Sequence, residues 1–189
     1  MRWTPEDFCR ATEILSSRLE KKRFMHTLGV VQTAIQLAAR HGGDSWRVSI
    51  AALLHDCAKT DDAVSPLQKW NERFGVHAYE NSPMPQLLHA PAGAWQAYEE
   101  FGVDDEEILD AIAWHPTGHP NPSLTLTILM AADYCEPSRD FPGVEEIREL
   151  VRKDIYAGVR EILLRKIRFV EERGRKLHPA TQETLLSLM

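Results

Sequence analysis

The segment "WRVSIAALLHDCAK" constrains this chain more than any other. Residues 46–54 are mostly apolar and read as a buried helix. They run directly into His55 and Asp56, with Lys59 one turn on. An unpaired carboxylate in an apolar interior is costly, and an unpaired imidazole beside it helps little. A fold built on this helix must bring compensating charge to Asp56.

The rest of the chain reads as helix too. "TPEDF" sets Thr4 as an N-cap with Pro5 at the first helical position, opening a helix that is expected to run to about "EKKR". A second starts near Arg23, carries Leu28, Val31, Ile35 and Ala38/Ala39 at helical spacing, and stops at Gly42-Gly43. The third is expected over Ser45–Thr60. A short helix around Pro66–Phe74 precedes a break at "NSPMPQ". Further helices are expected in "APAGAWQAYEEFG", closed by Gly102, in "DDEEILDAIAWH", ended by Pro116, and in "SLTLTILMAADYCEP", stopped before Pro137. The stretch 143–174 gives one long helix or two abutting ones, and a short helix follows His178-Pro179. "LTLTIL" alternates, but its neighbours continue a helical pattern. The expected architecture is all-α, one domain over residues 1–189.

Composition narrows the function classes. The chain has 189 residues, enough for one domain with a real core, and 43% hydrophobic with 26% charged residues is a folded composition. A formal charge of −6 argues against a broad nucleic-acid-coating face. No apolar stretch approaches the ~20 residues that span a bilayer, so no membrane partner is expected. The N-terminus has no apolar signal segment, which favours the cytoplasm. Three widely spaced cysteines with no CxxC fit reduced thiols, so a metal site here must use His, Asp and Glu.

Such a set exists. His26, His55, His89 and His115 lie in or beside apolar helices, as do Asp56 and Asp133. Imidazole and carboxylate donors together suit first-row divalent ions. Adjacent His55 and Asp56 point ~100° apart around a helix, and from its end both can reach one pocket. A cation beside Asp56 would supply its missing charge, and Lys59 can face the same pocket. His41, His77 and His178 read instead as capping or loop residues, and Asp133 could alternatively serve an Asp–Arg pair.

The order His26, His55-Asp56, Asp133 resembles the signature of the HD superfamily of metal-dependent phosphohydrolases, with His89 and His115 resembling its two-metal subgroup. The strings "HTLGVVQTAIQLA", "AALLHDCAK", "LLHAPAGA", "AIAWHPTGHP" and "AADYCEPSRDFPGVEEIR" are most similar to the symmetrical bis(5′-nucleosyl)-tetraphosphatases. They span about residues 20–150, and "KLHPAT" near the end is similar as well. Three positions depart from the family pattern: Ala90 follows His89 where glycine is expected, His119 stands where an arginine should follow "HPTG", and the last helix lacks an asparagine.

The resemblance implies a helical bundle with a two-metal site between helices, and a cytosolic hydrolase that cuts diadenosine tetraphosphate into two ADP. It implies His26, His55, Asp56 and Asp133 on one ion, and Asp56, His89 and His115 on another. Iron is implied, with manganese, cobalt or other divalent ions as alternatives. Two ions ~3.5–4 Å apart can share an attacking hydroxide and offset phosphate charge. Lys59 would stabilise the reacting phosphate and Arg139 clamp phosphate, oriented by Asp140; Thr117 and His119 would line the pocket. Tyr134 or Trp114 could stack on a base or simply fill the core. The basic face of "RKDIYAGVREILLRKIRFVEERGRK" could be solvated, form a homodimer surface, or attract polyphosphate. Two rivals stand beside this reading: an HD phosphohydrolase of deoxynucleotides or cyclic nucleotides, and a metal- and nucleotide-binding module without turnover. The absence of a "GYP" signature disfavours a cyclic-dinucleotide phosphodiesterase.

Overall fold

Ten helices follow one another in the computed structural model, which describes residues 3–59, 64–74 and 84–189. They are α1 (Pro5–Arg18), α2 (Lys21–His41), α3 (Ser45–Leu54), α4 (Val64–Phe74), α5 (His89–Glu99), α6 (Glu106–Trp114), α7 (Leu124–Cys135), α8 (Val144–Lys153), α9 (Ile155–Glu171) and α10 (Pro179–Ser187), with a single 3₁₀ turn at Pro85–Leu87. No strand occurs among the described residues, so the all-α expectation holds. Thr60, His77 and the first half of the break expected at "NSPMPQ" lie outside them.

Local chemistry sets the boundaries. Thr4 and Asp7 form a reciprocal capping box at the start of α1. Gly42, at φ 74°, ends α2 by turning its N–H to the Ala38 carbonyl. The first helix stops at Arg18, before "EKKR", because Leu19 turns to extended backbone and buries its side chain. The long apolar stretch after Gly143 divides into α8 and α9. Asp154 breaks it in an extended conformation, and its carboxylate accepts from the Tyr156 and Ala157 N–H groups.

The largest departure concerns α3, which ends at Leu54 rather than near Thr60. Beyond it the backbone closes tighter turns: the Cys57 N–H donates to the Leu54 carbonyl at 3.1 Å, and the Lys59 N–H to the Asp56 carbonyl at 3.1 Å. His55 and Asp56 therefore sit on a helix end and can point inward together.

Helix α7 is the centre. Thr125 to Ala132 are all buried, and α2, α3, α6 and α9 pack around them. Its two buried hydroxyls are satisfied, Thr125 donating to Glu107 at 2.6 Å and Thr127 to the Ser123 carbonyl at 2.8 Å. Asp133 emerges in the last turn, where this core stops. At the far end of the chain α10 seats on the loop after α6. Thr184 donates to the Thr117 carbonyl at 3.1 Å, and a Cβ on Gly118 would lie 2.6 Å from the Thr184 methyl.

Helices α8 and α9 touch at Gly158, where an added Cβ would stand 2.4 Å from Val151 Cγ1 and 2.9 Å from the Val151 Cα. A backbone atom cannot rotate away. Overpacking of this kind costs about 1–3 kcal/mol, against about 1 kcal/mol that alanine gains over glycine in a helix. Gly158→Ala is expected to lower the urea midpoint followed by circular dichroism; an unchanged or raised midpoint would mean the two helices separate freely.

Candidate metal centre and adjoining cavity

Four helix ends and one helix face converge. His55 and Asp56 come from the tight end of α3, His89 opens α5, His115 follows α6, Asp133 lies in the last turn of α7, and His26 faces them from α2. His55, Asp56, His89 and His115 are buried. His26, His55 and Asp56 offer ligand atoms within 4.8 Å of one another, and so do Asp56, His89 and His115. Asp56 belongs to both groups. Asp133 Oδ1 adds to the first, 3.1 Å from His26 Nε2 and 3.9 Å from His55 Nε2. In the second, His89 and His115 place Nε2 3.3 Å and 3.9 Å from Asp56 Oδ1, and 3.3 Å from each other.

The far side of each ring explains this convergence. His55, His89 and His115 each direct Nδ1 at the carbonyl three residues upstream: Ala52 at 2.7 Å, Gln86 at 2.6 Å and Ile112 at 2.9 Å. An Nδ1–H donated to a carbonyl leaves Nε2 as a lone pair, the state that binds a cation. His26 is held differently, with Nδ1 3.0 Å from Glu136 Oε1. The carboxylate of Glu136 is in turn fixed by the Ser138 backbone N–H at 2.6 Å and by its hydroxyl. The His55 Nε2 atom is buried with no hydrogen-bond partner among the described residues. An orphaned imidazole lone pair between two carboxylates is what a divalent cation would satisfy, so this donor set fits such an ion.

Electrostatics support the same reading. Burial pushes the Asp56 carboxyl up, but its interactions with His55, His115, Lys59 and His89 outweigh it and hold the group well below the usual carboxylate range. Asp133 is likewise held well below, burial being outweighed by its bond to His26 and nearby positive charge. Burial pushes His89 down to about 4 and His115 well below its ordinary value, so both rings are neutral at pH 7. His26 goes the other way: burial lowers it, but hydrogen bonds to Asp133 and Glu136 together raise it.

Two cations meet Asp56 directly. Lys59 Nζ lies 3.1 Å from both of its carboxylate oxygens, and Arg23 Nη1 lies 2.8 Å from Oδ2. Sequence reasoning anticipated Lys59 but not Arg23, although Arg23 stands three residues before His26 and hence on the same face of α2. It also missed Glu136 as the partner of His26. The signal for that was Gly29, one turn beyond His26, where a Cβ would fall 2.4 Å from Glu136 Oε2.

The remaining candidate residues are spread around this centre. Arg139 folds onto Asp133, with Nη2 3.0 Å from Oδ1 and Nε 3.1 Å from the backbone carbonyl, and no hydrogen bond joins it to the exposed Asp140. Thr117 is buried and lines a cavity of about 850 Å³ beside the centre, a volume suited to a nucleotide-sized ligand. Tyr134, Phe141, Phe169, Arg165 and Lys166 share that wall. His119 is turned away from it. Its Nε2 lies 3.0 Å from Asp110 Oδ2, and its ring stands 5.7 Å from Trp114.

Known proteins give the same picture. The HD domain family model matches residues 23–138. A symmetrical bis(5′-nucleosyl)-tetraphosphatase of Halalkalibacterium halodurans is 36% identical over 183 residues, covering 95% of this chain and 96% of that protein. Its namesake in Bacillus subtilis is 37% identical over 172 residues, covering 90% and 91%. A crystal structure from Clostridium acetobutylicum, described as a "predicted HD superfamily hydrolase involved in NAD metabolism", is 32% identical, with a TM-score of 0.83 over 100% of this chain and 98% of that one.

Two measurements test this description. Glu136→Gln weakens the carboxylate behind His26 and should lower divalent-metal affinity about 10–100-fold, read by competition with a chromophoric chelator. Gly29→Ala, by displacing Glu136, should do the same; wild-type affinity in both would disprove the role. The second concerns the His119–Asp110 pair. The bond to Asp110 raises the His119 pKa above its ordinary 6.5. The stability it adds is therefore complete below pH 6.5 and is lost as pH rises through the higher folded value. Asp110→Asn should be less stable than wild type in urea at pH 5.5 and equal to it at pH 9.

Proposed function

This chain belongs to the HD domain family and, within it, to the symmetrical bis(5′-nucleosyl)-tetraphosphatases, and from that premise we propose that it hydrolyses diadenosine tetraphosphate to two ADP with divalent metal ions as cofactors. The observation that carries the reading is the shared Asp56, which stands between two ligand groups built from inward-facing Nε2 atoms. His26, His55, Asp56 and Asp133 would hold one ion, and Asp56, His89 and His115 the other. Iron is our first choice, with manganese or cobalt as alternatives. Bound there, such ions would supply Lewis-acid charge to phosphate oxygens and lower the pKa of an attacking water.

The protein's own groups complete the chemistry. The rings of His55, His89 and His115 are fixed by backbone carbonyls, so no reorientation is needed when substrate arrives. Lys59 and Arg23 pair with Asp56, and Lys59, the more exposed of the two, would meet the reacting phosphate. Arg139 can turn its guanidinium from Asp133 to a phosphate, a bidentate partner of matching shape. Thr117 and the aromatic wall of Tyr134, Phe141 and Phe169 would take a nucleoside.

We read residues 1–189 as one working unit, because α9 and α10 complete the cavity that the motif-bearing helices begin. The basic face of α9 fits an attractor of polyphosphate better than a homodimer surface, since Arg165 and Lys166 belong to the cavity wall. No helix among the described residues is long and apolar enough to cross a membrane, and the three free cysteines fit our assignment to the cytoplasm.

Incubation with diadenosine tetraphosphate and Fe²⁺, Mn²⁺ or Co²⁺ should yield ADP alone, and a chelator should stop it. Asp56→Asn keeps the shape but loses the shared charge, and should reduce the rate by at least about 10²-fold. ATP plus AMP as products would move the cleavage point. No turnover in metal-replete protein would favour other nucleotides or a binding role.

A further inference from the structure

Helix α9 buries Ile155, Val159, Ile162 and Leu163 against the core, and the next residue on that stripe is Lys166. A lysine there loses hydration, and burial lowers its pKa. Three contacts offset this. Nζ donates to the Pro116 carbonyl at 3.1 Å, lies 6.0 Å from the centre of the Tyr134 ring, and stands close enough to Asp133 to help hold that carboxyl down. Its neighbour Arg165 is fully engaged, with Glu161, Glu146 and the Gly143 carbonyl. Lys166 is not. An ammonium has three donors. The Pro116 carbonyl is its one hydrogen-bond acceptor among the described residues, and the ammonium forms part of the cavity wall.

Its position is between two chemistries. Its charge acts on Asp133, at the edge of the candidate metal centre, and it shares the cavity wall with the aromatic Phe141 and Phe169. A nucleotide with its terminal phosphate at the centre and its nucleoside against the aromatic rings must pass a phosphate by Lys166. We propose that Lys166 binds a phosphate of the polyphosphate chain on the nucleoside side of the metal centre, and so selects substrates by the length of that chain. The proposal rests on the dinucleoside polyphosphate reading above.

The alternative is that Lys166 only ties down the loop after His115 through Pro116. Two variants separate these roles: Lys166→Met removes both charge and donor, while Lys166→Gln keeps a donor for the carbonyl and removes the charge. ADP and AMP affinities are measured by calorimetry on metal-loaded protein, beside KM and kcat for diadenosine tetraphosphate and the thermal midpoint. Loss of a charged hydrogen bond should weaken ADP binding and raise KM about 10- to 100-fold in both variants. AMP affinity and kcat should change far less, and Lys166→Gln should keep the wild-type midpoint. Wild-type ADP affinity in Lys166→Gln overturns the proposal. So does a fall in kcat and midpoint with ADP affinity unchanged, which would assign Lys166 to the loop. If the wild type makes no ADP from diadenosine tetraphosphate, the function above fails, and the ADP-against-AMP comparison still decides the role of Lys166.

Discussion

Everything in this molecule turns on one buried carboxylate. Asp56 is 2% exposed, and three imidazoles and two cationic side chains surround it. A charge so deep is tolerable only where opposite charge and hydrogen bonds reach it from several directions. Those directions are the fold. Helix α2 supplies Arg23, the turn after α3 supplies Lys59 and His55, and α5 and α6 meet at His89 and His115. Losing any one of these elements would leave Asp56 partly uncompensated, so the requirement of the site and that of the bundle are the same.

Much of this could be read before any coordinates. The helical periodicities, the Thr4 and Gly42 boundaries and the all-α class followed from patterns that depend only on near neighbours. The six histidine and aspartate candidates were recognisable because polar ligand types at the ends of apolar helices are conspicuous. What stayed hidden depended on tertiary contact or on small conformational preferences. The end of α3 was placed too late because tight turns over residues 55–58 use the same residue types as a helix. Arg23 looked like one of several basic residues at a helix start. Glu136 carried no mark of a distant partner, and only the approach of α2 reveals its bond to His26 across 110 residues.

The environment of the centre is divided by function of charge. On the α2 and α7 side, hydrogen bonds to carboxylates raise the His26 pKa; on the α5 and α6 side, burial lowers the pKa of two rings. Asp56 joins the two. Such asymmetry means the two ligand groups need not hold a cation equally well.

Three of the four histidines are aimed by a carbonyl only three positions earlier in their own chain. Each ligand is thus oriented by a fragment a few residues long rather than by distant packing. Substitutions deep in the bundle can shift helices relative to one another while every ring keeps its tautomer and its angle to its own helix. Related proteins could therefore drift far in their interior residues and still present the same set of lone pairs, provided these short helix ends persist.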